Sequence, residues 1–92
     1  MNITQLRYFI SVAECRSFTK AAKKNYVTQT AISQQIKALE EQLGVRLIDR
    51  TERPVGLTSA GEVFYTEAKA LVQQAEDAVR KTRNVENTEN RE

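Results

Sequence analysis

The sequence predicts a mainly α fold: a winged helix-turn-helix of three helices and a two-stranded wing, followed by one long helix. Three observations predict it. Residues 28–43 carry Ile32, Ile36, Leu39 and Leu43 at steps of four, three and four, which stacks them along one helical stripe. A short segment with paired alanines, Ala21 and Ala22, precedes them across a three-residue turn. Past Gly44 the pattern changes to short β-branched and charged segments, then returns to helical spacing.

Each element follows from local chemistry. Ile3 to Glu14 reads as the first helix, with Asn2 as N-cap and Gln5 three residues on; Ile3, Leu6, Phe9, Ile10 and Ala13 form its inner stripe. Arg16 and Ser17 interrupt it. Phe18 to Lys24 makes a second, short helix capped by Ser17, whose alanines permit close helix packing. Asn25 to Val27 is the turn, and Thr28 caps the third helix, which ends at Gly44 in the position suited to a left-handed residue. Val45–Arg50 and Val55–Leu57 are the two strands of a wing, joined by a turn at Thr51–Pro54. Thr58 or Ser59 then caps the last helix, with Ser59 and Glu62 at capping-box spacing. The division is residues 1–58 for the winged domain, 59–83 for the long helix and 84–92 for a polar, frayed tail.

Composition removes whole classes of function. The chain has no histidine, which excludes Ser-His-Asp triads and histidine-containing zinc sites. Cys15 is alone, so no intramolecular disulfide forms, and it reads as a small buried residue ending the first helix. With glycine only at 44, 56 and 61, no phosphate-cradling loop is present. Catalytic residues, metal ligands and cofactors are therefore not expected, and the carboxylate pairs Glu40–Glu41, Asp49–Glu52 and Glu76–Asp77 read as solvated or ion-paired. No apolar run reaches the length of a signal core or membrane span, which points to the cytoplasm and no membrane partner. Net charge is only +2, but its distribution is uneven. Residues 1–57 hold nine basic against five acidic side chains, and residues 58–92 five against seven.

A basic front suits phosphates. The third helix suits bases. Its outer face presents Thr30, Ser33, Gln34 and Lys37, short hydroxyls and an amide rather than the Glu and Lys of an ordinary solvated face. Such groups near a helix start can approach base edges in a DNA major groove, and Gln34 can pair bidentately with adenine. Arg50 and Arg53 sit on the wing, with Arg53 placed for a narrow A·T-rich minor groove; Thr19 lies near the start of the second helix, in reach of phosphate. Along the last helix, Phe64, Tyr65, Ala68, Leu71, Val72, Ala75, Ala78 and Val79 make an apolar face too long for the preceding residues to cover. A second copy of the helix would bury it; folding back on its own domain is the alternative.

Phe18-Thr-Lys-Ala-Ala22, Val27-Thr-Gln-Thr-Ala-Ile-Ser-Gln-Gln-Ile36, Leu39-Glu40, Leu43-Gly44-Val45, Leu47, Arg50 and Leu57-Thr-Ser-Ala-Gly61 closely resemble the N-terminal DNA-binding domain of LysR-type bacterial transcriptional regulators. The resemblance implies an antiparallel homodimer through the linker helix, reading an interrupted palindrome in double-stranded DNA. It places Gln29, Thr30, Ser33 and Gln34 on bases. Thr28, Lys37 and Arg50 fall on or near the backbone, and Arg53 reaches toward the minor groove. Three positions depart from the usual pattern: Thr30 where proline is common, Asn25 where leucine packs, and Ile48 where phenylalanine is frequent. Family members carry a larger domain that binds a small-molecule inducer. None of it is among these residues, and an excised fragment is the favoured reading over a short free-standing regulator. The competing function is a winged-helix protein-interaction module that selects no DNA sequence.

Overall fold

The computed structural model describes residues 1–89. Its elements run α1 (Ile3–Cys15), α2 (Phe18–Lys24), α3 (Gln29–Leu43), β1 (Ile48–Asp49), β2 (Gly56–Leu57) and α4 (Ser59–Glu89). The two strands pair antiparallel with Ile48 opposite Leu57 and Asp49 opposite Gly56. This is the predicted winged helix-turn-helix, with a wing of shorter strands than the sequence suggested.

Each helix starts where a side chain can take up a free amide. Asn2 accepts from the Gln5 amide at 2.8 Å while Gln5 reaches back to the Asn2 amide, a complete capping box. Ser17 accepts from the Lys20 amide and Thr28 from the Ala31 amide, each at 3.1 Å. At α4 the cap is Thr58, whose Oγ1 accepts from the Gly61 amide at 2.9 Å, so Ser59 is the first helical residue and not the cap. Gly44 ends α3 at φ 74°.

The core is one cluster. Leu6, Phe9 and Val12 of α1, Ala21 and Ala22 of α2, Ile32, Ile36 and Leu39 of α3, Leu47, Ile48, Ala68 and Val72 are all buried. α1 is the hub, packing on α2, α3 and α4. Its inner stripe is therefore set by Leu6, Phe9 and Val12; Ile3 is exposed and Ile10 and Ala13 are only half-buried. Asn25 fills the place of a larger apolar residue by donating from Nδ2 to Ser11 Oγ at 3.0 Å and to the Ala21 carbonyl at 2.8 Å. Cys15 is half-buried rather than enclosed. Gly61 lets α4 approach the wing closely, since a Cβ there would run into the Leu47 carbonyl.

Helix α4 continues past the expected end at Arg83 to Glu89, so residues 84–89 are helix rather than frayed tail. No glycine or proline interrupts them, and Thr82 and Thr88 each donate a hydroxyl to the carbonyl four residues back. A missing apolar stripe removes tertiary packing but does not break the backbone ladder. Residues 90–92 of the expected tail lie outside the described residues.

Candidate nucleic-acid interface

The core grips α3 along Ile32, Ile36 and Leu39, which turns the opposite face outward. Thr30, Gln34 and Lys37 are exposed and Ser33 is half-buried. None of the four makes a side-chain hydrogen bond or ion pair among the described residues, so their donors and acceptors are available. At the helix start, Thr28 is occupied as the cap, and Gln29 Oε1 accepts from Thr19 Oγ1 at 3.1 Å. That bond ties the first turn of α2 to the first turn of α3.

Open grooves flank this face. One, of about 600 Å³, is lined by Ser33, Gln34, Lys37, Glu40, Arg46 and Arg50. The other, of about 480 Å³, is lined by Arg16, Thr19, Gln29, Ser33, Arg50 and Arg53 among others. Ser33 and Arg50 border both. The structure thus gathers Thr19, Gln29, Ser33, Gln34, Lys37, Arg50 and Arg53 around one end of the molecule. Thr28 and Thr30 border neither groove and lie exposed on the first turn of α3 and just before it.

The wing arginines are held in different ways. Arg50 stacks over the Phe18 ring at 4.8 Å from its centroid and pairs with Glu40 at 3.6 Å. Arg53 folds onto its own hairpin, donating from Nη1 to the carbonyls of Arg50 at 2.7 Å and Glu52 at 3.1 Å. Nearby, the Thr51 hydroxyl and amide donate to Asp49 and hold its carboxyl below the usual carboxylate range.

Two residues of this region escaped the sequence reading. Arg16, the left-handed C-cap of α1 at φ 52°, donates from Nε to the Val55 carbonyl at 3.1 Å and pairs with Glu52 at 3.6 Å. It fastens the wing to the corner between α1 and α2. Its break in the helical pattern was the available signal. Glu40, read as solvated or ion-paired, does pair with Arg50 but is only 6% exposed. Its Oε2 accepts from the amides of Leu47 at 2.7 Å and Ile48 at 3.2 Å.

The expected interface on α4 needs a larger correction. Ala68 is fully enclosed and Val72 is 8% exposed, both within the protomer's own core. Phe64 packs on Phe9, ring centroids 5.5 Å apart, and Tyr65 donates its hydroxyl to Glu14 at 2.7 Å, which pushes the phenol pKa up. Ala68 and Val72 are thus closed off within the protomer, while Phe64 and Tyr65 are half-buried against α1. Of the remaining expected residues, Leu71 and Val79 are exposed and Ala75 is half-buried. Val63 and Val85 add to the exposed apolar surface of the helix.

Fold and site together define a DNA-binding type of winged helix-turn-helix, with an outward-facing polar face on the second helix of the motif. Residues 3–62 match the profile of the bacterial regulatory helix-turn-helix protein, lysR family, and the chain belongs to that family. It is 44% identical over 85 residues to the Hca operon transcriptional activator HcaR of Escherichia coli (strain K12), covering 92% of this chain and 29% of that protein. It is 42% identical over 89 residues to the transcriptional regulator BenM of Acinetobacter baylyi, covering 97% of this chain and 29% of BenM. A crystal structure of the BenM DNA-binding domain in complex with benA site 1 DNA superposes with a TM-score of 0.89 at 42% identity, covering 92% of this chain and 99% of that one. The chain thus spans under a third of the length of HcaR and of BenM. Among its described residues, no helix is long and apolar enough to cross a membrane.

Proposed function

We propose that this chain binds double-stranded DNA sequence-specifically, as the DNA-binding domain of a bacterial transcriptional regulator. α3 enters the major groove and the wing turns toward the minor groove. The observation that carries this reading is the outer face of α3, where Thr30, Ser33, Gln34 and Lys37 keep every side-chain donor and acceptor unengaged while Ile32, Ile36 and Leu39 fix the helix from behind. Gln29, Thr30, Ser33 and Gln34 read bases; Thr19, Thr28, Lys37 and Arg50 meet the backbone, and Arg53 meets the minor groove.

Two copies joined through α4 would present two such helices to an interrupted palindrome, with A·T-rich sequence favoured where Arg53 enters. The dimer contact is assigned to the exposed apolar residues of α4, keeping Leu71 and Val79 of the expected set, adding Val63 and Val85, and setting aside Ala68 and Val72, which the protomer buries. No cofactor enters this scheme, the site is cytoplasmic, and any small-molecule inducer acts through regions outside these residues.

Selection from a pool of random duplexes at two salt concentrations tests the proposal. Enrichment of a defined half-site, with affinity falling steeply as salt rises, is the expected result. A protein-docking module would enrich no sequence, and that outcome would refute the assignment.

A further inference from the structure

The pair Glu40–Arg50 lies at the junction of α2, α3 and the wing, and its geometry shows more than an ion pair at a surface. Glu40 is on the inner flank of α3, one turn before its end. One carboxylate oxygen takes the Leu47 and Ile48 amides, fixing the chain as it enters the wing. The other is 3.6 Å from Arg50 Nη2. Arg50 leaves the wing, sets its guanidinium carbon 4.8 Å over the ring of Phe18, the first residue of α2, and borders both grooves beside the recognition helix. Its guanidinium makes no other polar contact among the described residues, so its remaining N–H groups are open to a ligand. A buried acid, a stacked planar cation and an aromatic ring thus connect all three elements that meet DNA.

We infer that Glu40 and Phe18 are positioning residues that preset the Arg50 guanidinium for a phosphate and lock the wing at a fixed angle to α3. This inference rests on the DNA-binding reading above. The chemistry favours Arg specifically: a guanidinium can stack on a ring, pair with one carboxylate and still offer donors to a phosphate, which an ammonium cannot do in one geometry. Orientation fixed before binding removes an ordering cost at the moment of binding.

The sign of one substitution separates this role from plain electrostatics. Glu40→Gln removes a negative charge near DNA, so charge alone would tighten binding to every duplex. The amide oxygen can still accept from the Leu47 and Ile48 amides, but it no longer anchors Arg50. Preset orientation predicts the opposite for the duplex that the wild-type chain enriches from the random pool, with affinity falling about tenfold, while random duplex binds as well as before or better. Arg50→Lys, which keeps the charge, and Phe18→Leu, which keeps the burial, should each weaken the enriched duplex in the same selective way. Glu40→Gln should add little in the Arg50→Lys background. If Glu40→Gln lowers the melting temperature enough to unfold the chain, the Arg50→Lys and Phe18→Leu pair carries the test. Tighter or unchanged binding of the enriched duplex by a folded Glu40→Gln, or by both other variants, overturns the inference while leaving the DNA-binding reading intact. A wild-type chain that enriches no duplex overturns both.

Discussion

Helices α3 and α4 are both amphipathic, yet they divide their surfaces differently. α3 has one apolar stripe, which its own domain covers completely at Ile32, Ile36 and Leu39, and one polar face where Thr30, Ser33, Gln34 and Lys37 make no side-chain hydrogen bond among the described residues. α4 carries both covered and uncovered apolar side chains. Phe64, Ala68 and Val72 turn toward α1, and Val63, Leu71, Val79 and Val85 stay exposed. An uncovered polar face marks a surface made for a polar ligand. An uncovered apolar one marks a surface made for another apolar surface, because leaving it in water costs roughly 25 cal/mol for each Å². On the reading proposed above, α3 takes DNA and α4 a second copy of the chain.

The largest expected effect comes from substituting two adjacent residues of α4, one covered by the protomer and one exposed. Val72→Glu puts a carboxylate into the core without a partner and should cost on the order of 3 kcal/mol or more, unfolding a domain this small. Leu71→Glu alters the exposed residue, 44% accessible, and should leave circular dichroism unchanged while shifting sedimentation toward monomer. A folded Val72→Glu, or a dimeric Leu71→Glu, would show that the two residues have been assigned the wrong way round.

On α3 the corresponding test is Gln34→Ala, which removes an exposed side chain that makes no intramolecular bond. It should leave the melting temperature unchanged and cost about 1–3 kcal/mol on the enriched duplex, with base preference relaxed at one position. Equal losses on enriched and random duplex would remove Gln34 from base readout.

These two helices also show what a sequence can and cannot reveal. The stripe and polar face of α3 were legible because one period and one partner layer determine both, and every base-reading candidate on it lies exposed or half-buried at the outer face. The caps at Asn2, Ser17 and Thr28 were legible for a similar reason, since each acts within three residues. Periodicity on α4 named the apolar positions but not which neighbour each one meets. That depends on the direction in which α4 leaves the wing, set by Gly61 against the Leu47 carbonyl. An ion pair at Glu40 was among the readings, but its burial and its bonds to the Leu47 and Ile48 amides were not, because those partners lie seven and eight residues on and only the folded wing brings them to it. A carboxylate beside another carboxylate in a helix carries no sign of burial.

Arg53→Ala bears on the wing side of the comparison. Unlike the unengaged groups of α3, Arg53 already bonds two carbonyls of its own hairpin, so entering a minor groove replaces contacts rather than adding them. The net loss on Arg53→Ala should therefore be small, about 1 kcal/mol, and confined to duplexes with A·T-rich flanks where the groove is narrow and its potential strongest. Affinities measured on duplexes differing only in their flanks decide this. A loss that ignores flank composition would move Arg53 to the phosphates.

The smallest effect is expected at the turn that sets the angle of α3. Tyr26 holds φ 56°, a left-handed conformation that costs an ordinary residue energy, and its ring is almost fully exposed. The Tyr26 amide bonds the Lys23 carbonyl and the Val27 amide bonds the Ala22 carbonyl, closing α2 in a pattern that favours glycine at this position. Tyr26→Gly relieves the backbone but loosens the unfolded chain, so the two effects partly cancel and a net gain of about 0.5 kcal/mol remains. Thermal melts should rise slightly, with the enriched sequence unchanged, since no base-reading residue moves. A lower melting temperature would mean that the exposed ring contributes to the fold, and altered sequence preference would mean that the turn tunes how α3 lies in the groove.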